Sequence, residues 1–200
     1  MRCPVLWGST NLFYPLIAEK QLNLFYSFLG IDYNPDLQAE FEKESELEAA
    51  ARRTSFDFYV ADSKMKEIFV EVKYTEEGFG RAKSDEAHKA KFQKTYLPLI
   101  KKSSFLSSQC NNEKVFLANY QILRNLVHIS DTAHVVLLFP SANSKVSEAA
   151  KFAKNNLLNN AGRDRLNIVH LDELVSYFES QSLKASVKNY FQNFRAKYCF

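Results

Sequence analysis

The chain has 200 residues, of which 46% are hydrophobic and 14% aromatic, so it can bury a core, and intrinsic disorder is excluded. The formal net charge of +3 excludes a strongly basic coat, so any contact with DNA would depend on a local cluster of basic residues. Runs of about 18 apolar residues, which could span a membrane, are missing. The cysteines are too far apart in the sequence to form the closely spaced ligand pairs of a zinc site. Such scattered cysteines are typical of free thiols in the reducing cytoplasm. They are Cys3, Cys110 and Cys199.

The N-terminal region predicts one helix, followed by a charged segment that fits two structures. Residues 16–29 carry apolar side chains near helical spacing, and Gly30 is a plausible end of the helix. The charges of residues 38–49 favour a helix. Every second residue of this segment would also lie on one side of an extended strand, so both structures stay open. Those residues are Glu40, Glu42, Glu44 and Glu46.

Two apolar segments joined by a short polar turn predict a β-hairpin. Residues 55–61 are rich in Phe, Tyr and Val, and residues 67–73 alternate in character. Residues 62–66 between them are polar and would form the turn.

The rest of the chain alternates helices and strands. The predicted elements are a basic helix over 84–102 with a break or kink at Pro98, a helix over 113–129, a strand over 133–139, a helix over 144–158 with Ser144 as its N-cap, a strand over 166–171, and helices over 172–179 and 183–198. The strand–helix–strand order implies parallel pairing, whereas the hairpin is antiparallel. We therefore predict an α/β fold, a three-layer α/β/α arrangement with a central mixed sheet. Since no long flexible linker divides the chain, we expect a single domain over residues 1–200, with a C-terminal helical extension at about 181–200.

Three side chains of complementary chemistry lie on the hairpin. Asp57 is near the start of the first strand, and Glu71 and Lys73 are two apart on the second. Residues two apart on a strand share a face, so Glu71 and Lys73 should point the same way while the alternating valines enter the core. A hairpin centred on residues 62–66 pairs position 57 with about position 71. The Cβ atoms of the two acids would then be roughly 5 Å apart.

This arrangement indicates metal-dependent phosphodiester chemistry. Two carboxylates so close repel each other unless a cation lies between them, and hard oxygen ligands suit Mg²⁺ or Mn²⁺. An ammonium group beside them can orient a water and offset negative charge on a phosphate. The pattern E-x-K alone recurs about once by chance in such a chain. It could also mark only an exposed ion pair worth under about 1 kcal/mol, so the prediction depends on the hairpin.

The hairpin residues resemble the PD-(D/E)xK nuclease superfamily, in which an Asp on one strand and a Glu-x-Lys on the next hold a metal ion and a water. Phe56 stands where the superfamily name has proline, a position that varies in such proteins. Four segments are similar to a family of bacterial restriction-endonuclease-like proteins over roughly residues 10–175. These segments are Phe41-Glu42, residues 53–57, residues 70–76 and residues 120–125. The resemblance implies a restriction-endonuclease-like fold.

The resemblance also implies an upstream acidic residue that assists metal binding or orients the site. Glu42 fits best and Glu44 is the second choice, which favours a strand over residues 38–47. Gln121 would support the site or the phosphate, although a helix cap or a hydrogen bond at the edge of the core fits nearly as well. Arg124 lies three residues further, on a nearby helix face.

Further residues around the motif are candidates for contact with nucleic acid. Glu76 would either reach the site or be solvated. A basic cluster after the motif would track a phosphate backbone or form a solvated helix face. The cluster comprises Arg81, Lys83, Lys89, Lys91, Lys94, Lys101 and Lys102, and Gly78 and Gly80 would make the intervening loop flexible.

We therefore predict a DNA endonuclease that depends on Mg²⁺ or Mn²⁺. Asp57 and Glu71 would bind the metal together with the Val72 carbonyl, and Lys73 would position the attacking water. One alternative is a nucleic-acid-binding or assembly module of the same fold without turnover. Another is an unrelated α/β protein, favoured if Asp57 and Glu71 do not share a face. No nucleotide cofactor is expected, because the glycine motifs of dinucleotide and P-loop sites are missing. A homodimer is compatible with the sequence.

Overall fold

The computed structural model describes residues 4–48 and 53–199, and a five-stranded sheet lies at their centre. The strands are β1 (Gln38–Glu44), β2 (Ser55–Ala61), β3 (Glu67–Val72), β4 (Ala133–Phe139) and β5 (Leu166–His170). They follow one another in sheet order β1-β2-β3-β4-β5. The first three are antiparallel, and β3, β4 and β5 are parallel. The predicted mixed sheet is therefore confirmed.

Helices cover both faces of this sheet. They are α1 (Pro4–Ala18), α2 (Asn23–Leu29), α3 (Glu86–Lys91), α4 (Leu97–Lys102), α5 (Glu113–Ala118), α6 (Tyr120–Leu126), α7 (Ser144–Phe152), α8 (Asn160–Arg163), α9 (Leu171–Ser180) and α10 (Ala185–Tyr198). Helices α4 to α7 pack on the face that presents Phe69 and Leu137. Helices α1, α2, α9 and α10 pack on the face that presents Val70 and Val136. The result is the predicted three-layer α/β fold.

The hairpin forms with the predicted turn. Strand β2 pairs with β3 in the register Phe58↔Val70 to Ala61↔Glu67. The Asp62 carboxylate closes the turn by accepting the backbone N–H groups of Lys64 and Lys66, each at 2.9 Å. As predicted, the valines between the polar residues of β3 enter the core, where their side chains are fully buried.

The predicted single helix over residues 16–29 is wrong, because the chain turns at Lys20. This residue is in the left-handed region, with φ of 56°. Its N–H donates to Ile17 O at 3.1 Å, and that of Gln21 donates to Leu16 O at 2.7 Å. This pair of bonds is the Schellman motif that ends a helix. Gly30, with φ of 66°, ends α2 as predicted.

The ambiguous segment 38–49 forms strand β1 up to Glu44, and residues 49–52 lie outside the described residues. The predicted helix over 84–102 contains a π-helical turn at Phe92–Tyr96. This turn precedes the predicted break, since Pro98 lies in the first turn of α4, where no N–H is needed.

The predicted helix over 113–129 is two helices, because Asn119 leaves helical geometry with ψ of 35°. Its side chain donates to Val115 O at 2.9 Å and so satisfies a carbonyl at the end of α5. Asn143, and not Ser144, is the N-cap of α7, since its side chain accepts Val146 N–H at 3.2 Å.

The two described cysteines and the C-terminal helix agree with the sequence analysis. Cys110 and Cys199 are free thiols, as predicted, whereas Cys3 lies outside the described residues. Helix α10, within the predicted extension, packs through Phe191 and Phe194 into the same core as α1 and α9.

None of the helices in the described ranges is long and apolar enough to cross a membrane.

His128 should make the stability of the fold depend on pH. It is 4% exposed, and its Nε2 lies 2.8 Å from Ser45 Oγ. Burial lowers its pKa from 6.5 to about 4, so the unfolded chain binds a proton first as the pH falls. We expect His128 to lower the free energy of unfolding by roughly 3 kcal/mol between about pH 6.5 and 4. Urea unfolding of the wild type and of His128→Gln gives the free energy of unfolding at each pH in this range. The contribution of His128 is the difference between the two proteins in how steeply that free energy falls with pH. An equal fall in both would contradict the prediction.

Candidate functional site

Strands β2 and β3 bring Asp57 and Glu71 together where their pairing ends. The last paired residues are Phe58 and Val70, and the same register, continued by one residue, places Asp57 opposite Glu71. The Asp57 side chain then takes the place of a ladder bond, because its Oδ2 accepts the N–H of Val72 at 2.7 Å. The two acids therefore lie side by side at the end of an interior strand.

The backbone is distorted at this point of the sheet. Glu42 lies opposite Asp57 in the β1–β2 register and has φ of 55°, a conformation that costs roughly 1–2 kcal/mol for a residue other than glycine. Phe56 and Phe58 lie in the cores on opposite faces of the sheet, although regular pleating would put them on one face. Glu42 is exposed, and it makes no hydrogen bond or ion pair with the residues that the structure describes. Strain of this kind clusters at functional sites.

Glu71 and Lys73, which are buried, and Gln121, which is partly exposed, form a polar cluster beside Asp57. Glu71 and Lys73 are 5% and 7% exposed, and Lys73 Nζ lies 2.8 Å from Glu71 Oε1. Gln121, on α6, donates from Nε2 to the same oxygen at 2.8 Å. The Gln121 Oε1 accepts the N–H of Gly80 at 3.1 Å. One amide thus connects Glu71 to the loop that follows Lys73.

The charges of this cluster shift the pKa values of two groups in a consistent way. Burial of Asp57 and, next, the negative charge of Glu71 raise the pKa of Asp57 from 3.8 to about 7. Burial alone lowers the pKa of Lys73, but the nearby Glu71 carboxylate outweighs it and raises that pKa above 10.5. Lys73 is therefore a fixed cation. It can hold a water or offset negative charge, but it does not act as a base.

The free oxygens of the two acids are the candidates for metal binding. Asp57 Oδ1 and Glu71 Oε2 accept no hydrogen bond from residues 4–48 or 53–199, since the contacts of each group are made by its other oxygen. Within those ranges no three histidine, cysteine or acidic side chains form a group that could hold a metal. A metal ion at this place would meet two carboxylates of adjacent strands and would need backbone or solvent oxygens to complete its coordination. Such hard donors fit Mg²⁺ or Mn²⁺.

Of the other predicted residues, Glu76 lies near Lys73, whereas Lys83 and Lys89 lie away from the two acids. Glu76 turns back on its own loop, where Oε2 accepts the N–H of Tyr74 at 2.8 Å, while Oε1 is 3.9 Å from Lys73 Nζ. Lys83 is exposed, and Lys89 pairs with Glu86 at 3.1 Å. Neither lysine contacts the acids in the part of the chain that the structure describes.

Arg124 points to a glutamate that the sequence analysis did not single out. Its Nη2 lies 3.6 Å from Glu48 Oε2, and its guanidinium lies over the rings of Tyr96 and Tyr120, 5.9 and 5.2 Å from their centroids. Glu48 is 1% exposed. In the sequence it is one of several glutamates at alternate positions, so no local pattern distinguishes it.

The comparisons with known proteins add one finding. A family described as Restriction Endonuclease associating with ARP matches residues 10–199, a range that includes all five strands and extends through α10. No curated protein and no solved structure matches the chain.

Proposed function

Because the chain belongs to the family described as Restriction Endonuclease associating with ARP, we propose that it is a metal-dependent DNA endonuclease of the PD-(D/E)xK superfamily. The observation that carries the proposal is the cluster of Asp57, Glu71 and Lys73 at the end of β3, where Lys73 Nζ lies 2.8 Å from Glu71. A partly buried and a buried acid next to one fixed cation match the needs of phosphodiester hydrolysis.

Asp57 and Glu71 would hold Mg²⁺ or Mn²⁺, together with the Val72 carbonyl. When bound, the cation would supply Lewis-acid stabilisation of the charge that builds up on the phosphate. It would also offset the repulsion that raises the pKa of Asp57. Support for the metal comes from the oxygens Asp57 Oδ1 and Glu71 Oε2, which no described hydrogen bond uses.

The protein's own groups have separate roles in this proposal. Lys73 holds the attacking water and remains protonated, since its pKa is raised. Gln121 orients Glu71 by donating to Oε1, and Glu76 contributes negative charge beside Lys73. Glu42, opposite Asp57 on β1, assists the metal site from the exposed side.

The substrate would approach over the loop between Lys73 and α3. Lys83 and Lys89, with the other basic residues of this region, would contact DNA phosphates and supply binding that weakens with salt. Gln121 holds the loop through Gly80, so the loop is fixed with respect to Glu71.

The second candidate is a catalytically silent assembly module of the same fold. The family description names an association with ARP. This association favours a role in which the chain acts through a partner.

Cleavage of supercoiled plasmid distinguishes the two candidates. We expect nicking in Mg²⁺ or Mn²⁺ and none in EDTA, with metal binding to the protein alone detectable by calorimetry. Absence of cleavage on plasmid, linear, branched and single-stranded DNA, together with absence of metal binding, would contradict the endonuclease and favour the silent module.

A further inference from the structure

A second buried carboxylate lies between the start of β2 and helix α6. The Glu48 side chain is fully buried, and Oε2 accepts the Tyr96 hydroxyl at 2.8 Å and the N–H of Thr54 at 3.2 Å. The Thr54 hydroxyl donates to Oε1. Arg124 and Lys91 place their charges 3.6 and 4.0 Å from Oε2. Both oxygens of this group are therefore bound by surrounding donors.

Two partners of Glu48, Thr54 and Arg124, belong to the segments that form the proposed active site. Thr54 precedes β2, three residues before Asp57. Arg124 is on α6, one helical turn after Gln121, the residue that holds Glu71. Tyr96 ends the π-helical turn and fixes the arrangement from a third side. Glu48 thus connects the strand that carries one acid to the helix that orients the other.

A buried ionic group is a poor choice if stability is all that is needed. Taking a carboxylate and a guanidinium out of water is unfavourable, and apolar residues of similar volume are often as stable. A carboxylate with all its hydrogen bonds made fixes the relative positions of the segments that donate to it, because it accepts hydrogen bonds only from donors in certain directions. Three hydrogen bonds from Thr54 and Tyr96 and the charges of Arg124 and Lys91, from three separate segments, meet on the Glu48 carboxylate.

We propose that Glu48 is a positioning residue of the nuclease site. It fixes the distance between β2 and α6, so that Asp57 can bind Val72 N–H while Gln121 binds Glu71. This proposal rests on the proposed function. Glu48 does not touch the reacting atoms. It acts through Thr54 on the strand and through Arg124 on the helix.

The test compares Glu48→Gln with Glu46→Gln, the same change at an exposed residue whose partner is Lys43. We expect Glu48→Gln to lower kcat for plasmid nicking by about ten- to a hundredfold with little change in KM, and the control to leave both unchanged. In ¹⁵N-labelled protein without DNA or metal, we expect faster hydrogen exchange at Gly80 N–H and at the Gln121 side-chain amide in Glu48→Gln alone. A residue that only stabilises the fold would speed exchange at protected amides throughout the core, and not at these two groups in particular.

Unchanged kcat together with unchanged exchange at Gly80 and Gln121 would overturn the proposal. Faster exchange in a protein whose wild type does not cleave DNA would leave the positioning role standing and overturn the nuclease instead. If Glu48→Gln does not fold, Tyr96→Phe removes one donor to the carboxylate while it keeps the ring, and the same two measurements are made on it. The proposal is then overturned if Tyr96→Phe matches the wild type in both.

Discussion

Replacing Lys73 with methionine is expected to lower DNA cleavage by about a hundred- to a thousandfold, which is the usual loss when one stabilising group is removed from an active site. Methionine keeps an unbranched apolar chain as far as Cε and removes the ammonium group. Because Glu71 then remains buried without its partner at 2.8 Å, the free energy of unfolding without metal should fall by about 3–5 kcal/mol. Added Mg²⁺ should recover part of that loss.

Lys145→Met is the matched control for this change. Lys145 pairs with Glu77 at 2.7 Å, but both side chains are largely exposed, and solvent screening leaves such surface pairs little effect on stability. Plasmid nicking and urea unfolding, each with and without Mg²⁺, measure both effects. If Lys73→Met cuts DNA as fast as the control does, Lys73 has no part in the reaction.

Replacing Asp57 with asparagine is expected to remove cleavage and, without metal, to stabilise the fold at high pH. Burial and the charge of Glu71 raise the pKa of Asp57 to about 7 in the folded chain, above its ordinary 3.8. The folded state therefore binds the proton more tightly, so this carboxyl favours folding below about pH 4, and that benefit is lost as the pH rises to about 7. Asparagine carries no charge and can still accept the N–H of Val72.

We expect Asp57→Asn to exceed the wild type in free energy of unfolding by a few kcal/mol at pH 8 in EDTA, and the two to converge near pH 4. Asp164→Asn, at an exposed position, should leave stability and cleavage unchanged. Urea unfolding at both pH values and plasmid nicking in Mg²⁺ give the comparison. An asparagine variant that nicks plasmid at the wild-type rate would show that Asp57 is not a metal ligand. A variant less stable than the wild type at pH 8 would show that Asp57 is not repelled by Glu71.

Local sequence was sufficient for the hairpin and its polar face. Asp57 and Glu71 are separated by one tight turn, so the period of two along each strand and a pairing centred on residues 62–66 place them opposite each other. Strands β2 and β4 were predicted at their observed bounds, Ser55–Ala61 and Ala133–Phe139, because unbroken apolar runs between polar turns allow few other registers.

Chain turns and long-range contacts were not predictable in this way. Lys20, Glu42 and Asn119 all leave regular geometry, yet none is a glycine or a proline, so no breaker marks these positions in the sequence. Local bonds hold Lys20 and Asn119, whereas the pairing of β1 with β2 surrounds Glu42 and exists only once the sheet has formed.

The sequence by itself determined the composition of the site, since the side-chain period of a strand puts Glu71 and Lys73 on one face and the hairpin adds Asp57. Only the tertiary structure decided what surrounds it. Gln121 reaches Glu71 across 50 residues of chain, and Tyr96 reaches Glu48 across 48. Glu48 follows Glu44 and Glu46 in the sequence and differs from them only in being buried. The physical reason is that the role of a carboxylate depends on the hydrogen-bond donors around it and on its exposure to solvent. Both are set by the packing of distant segments.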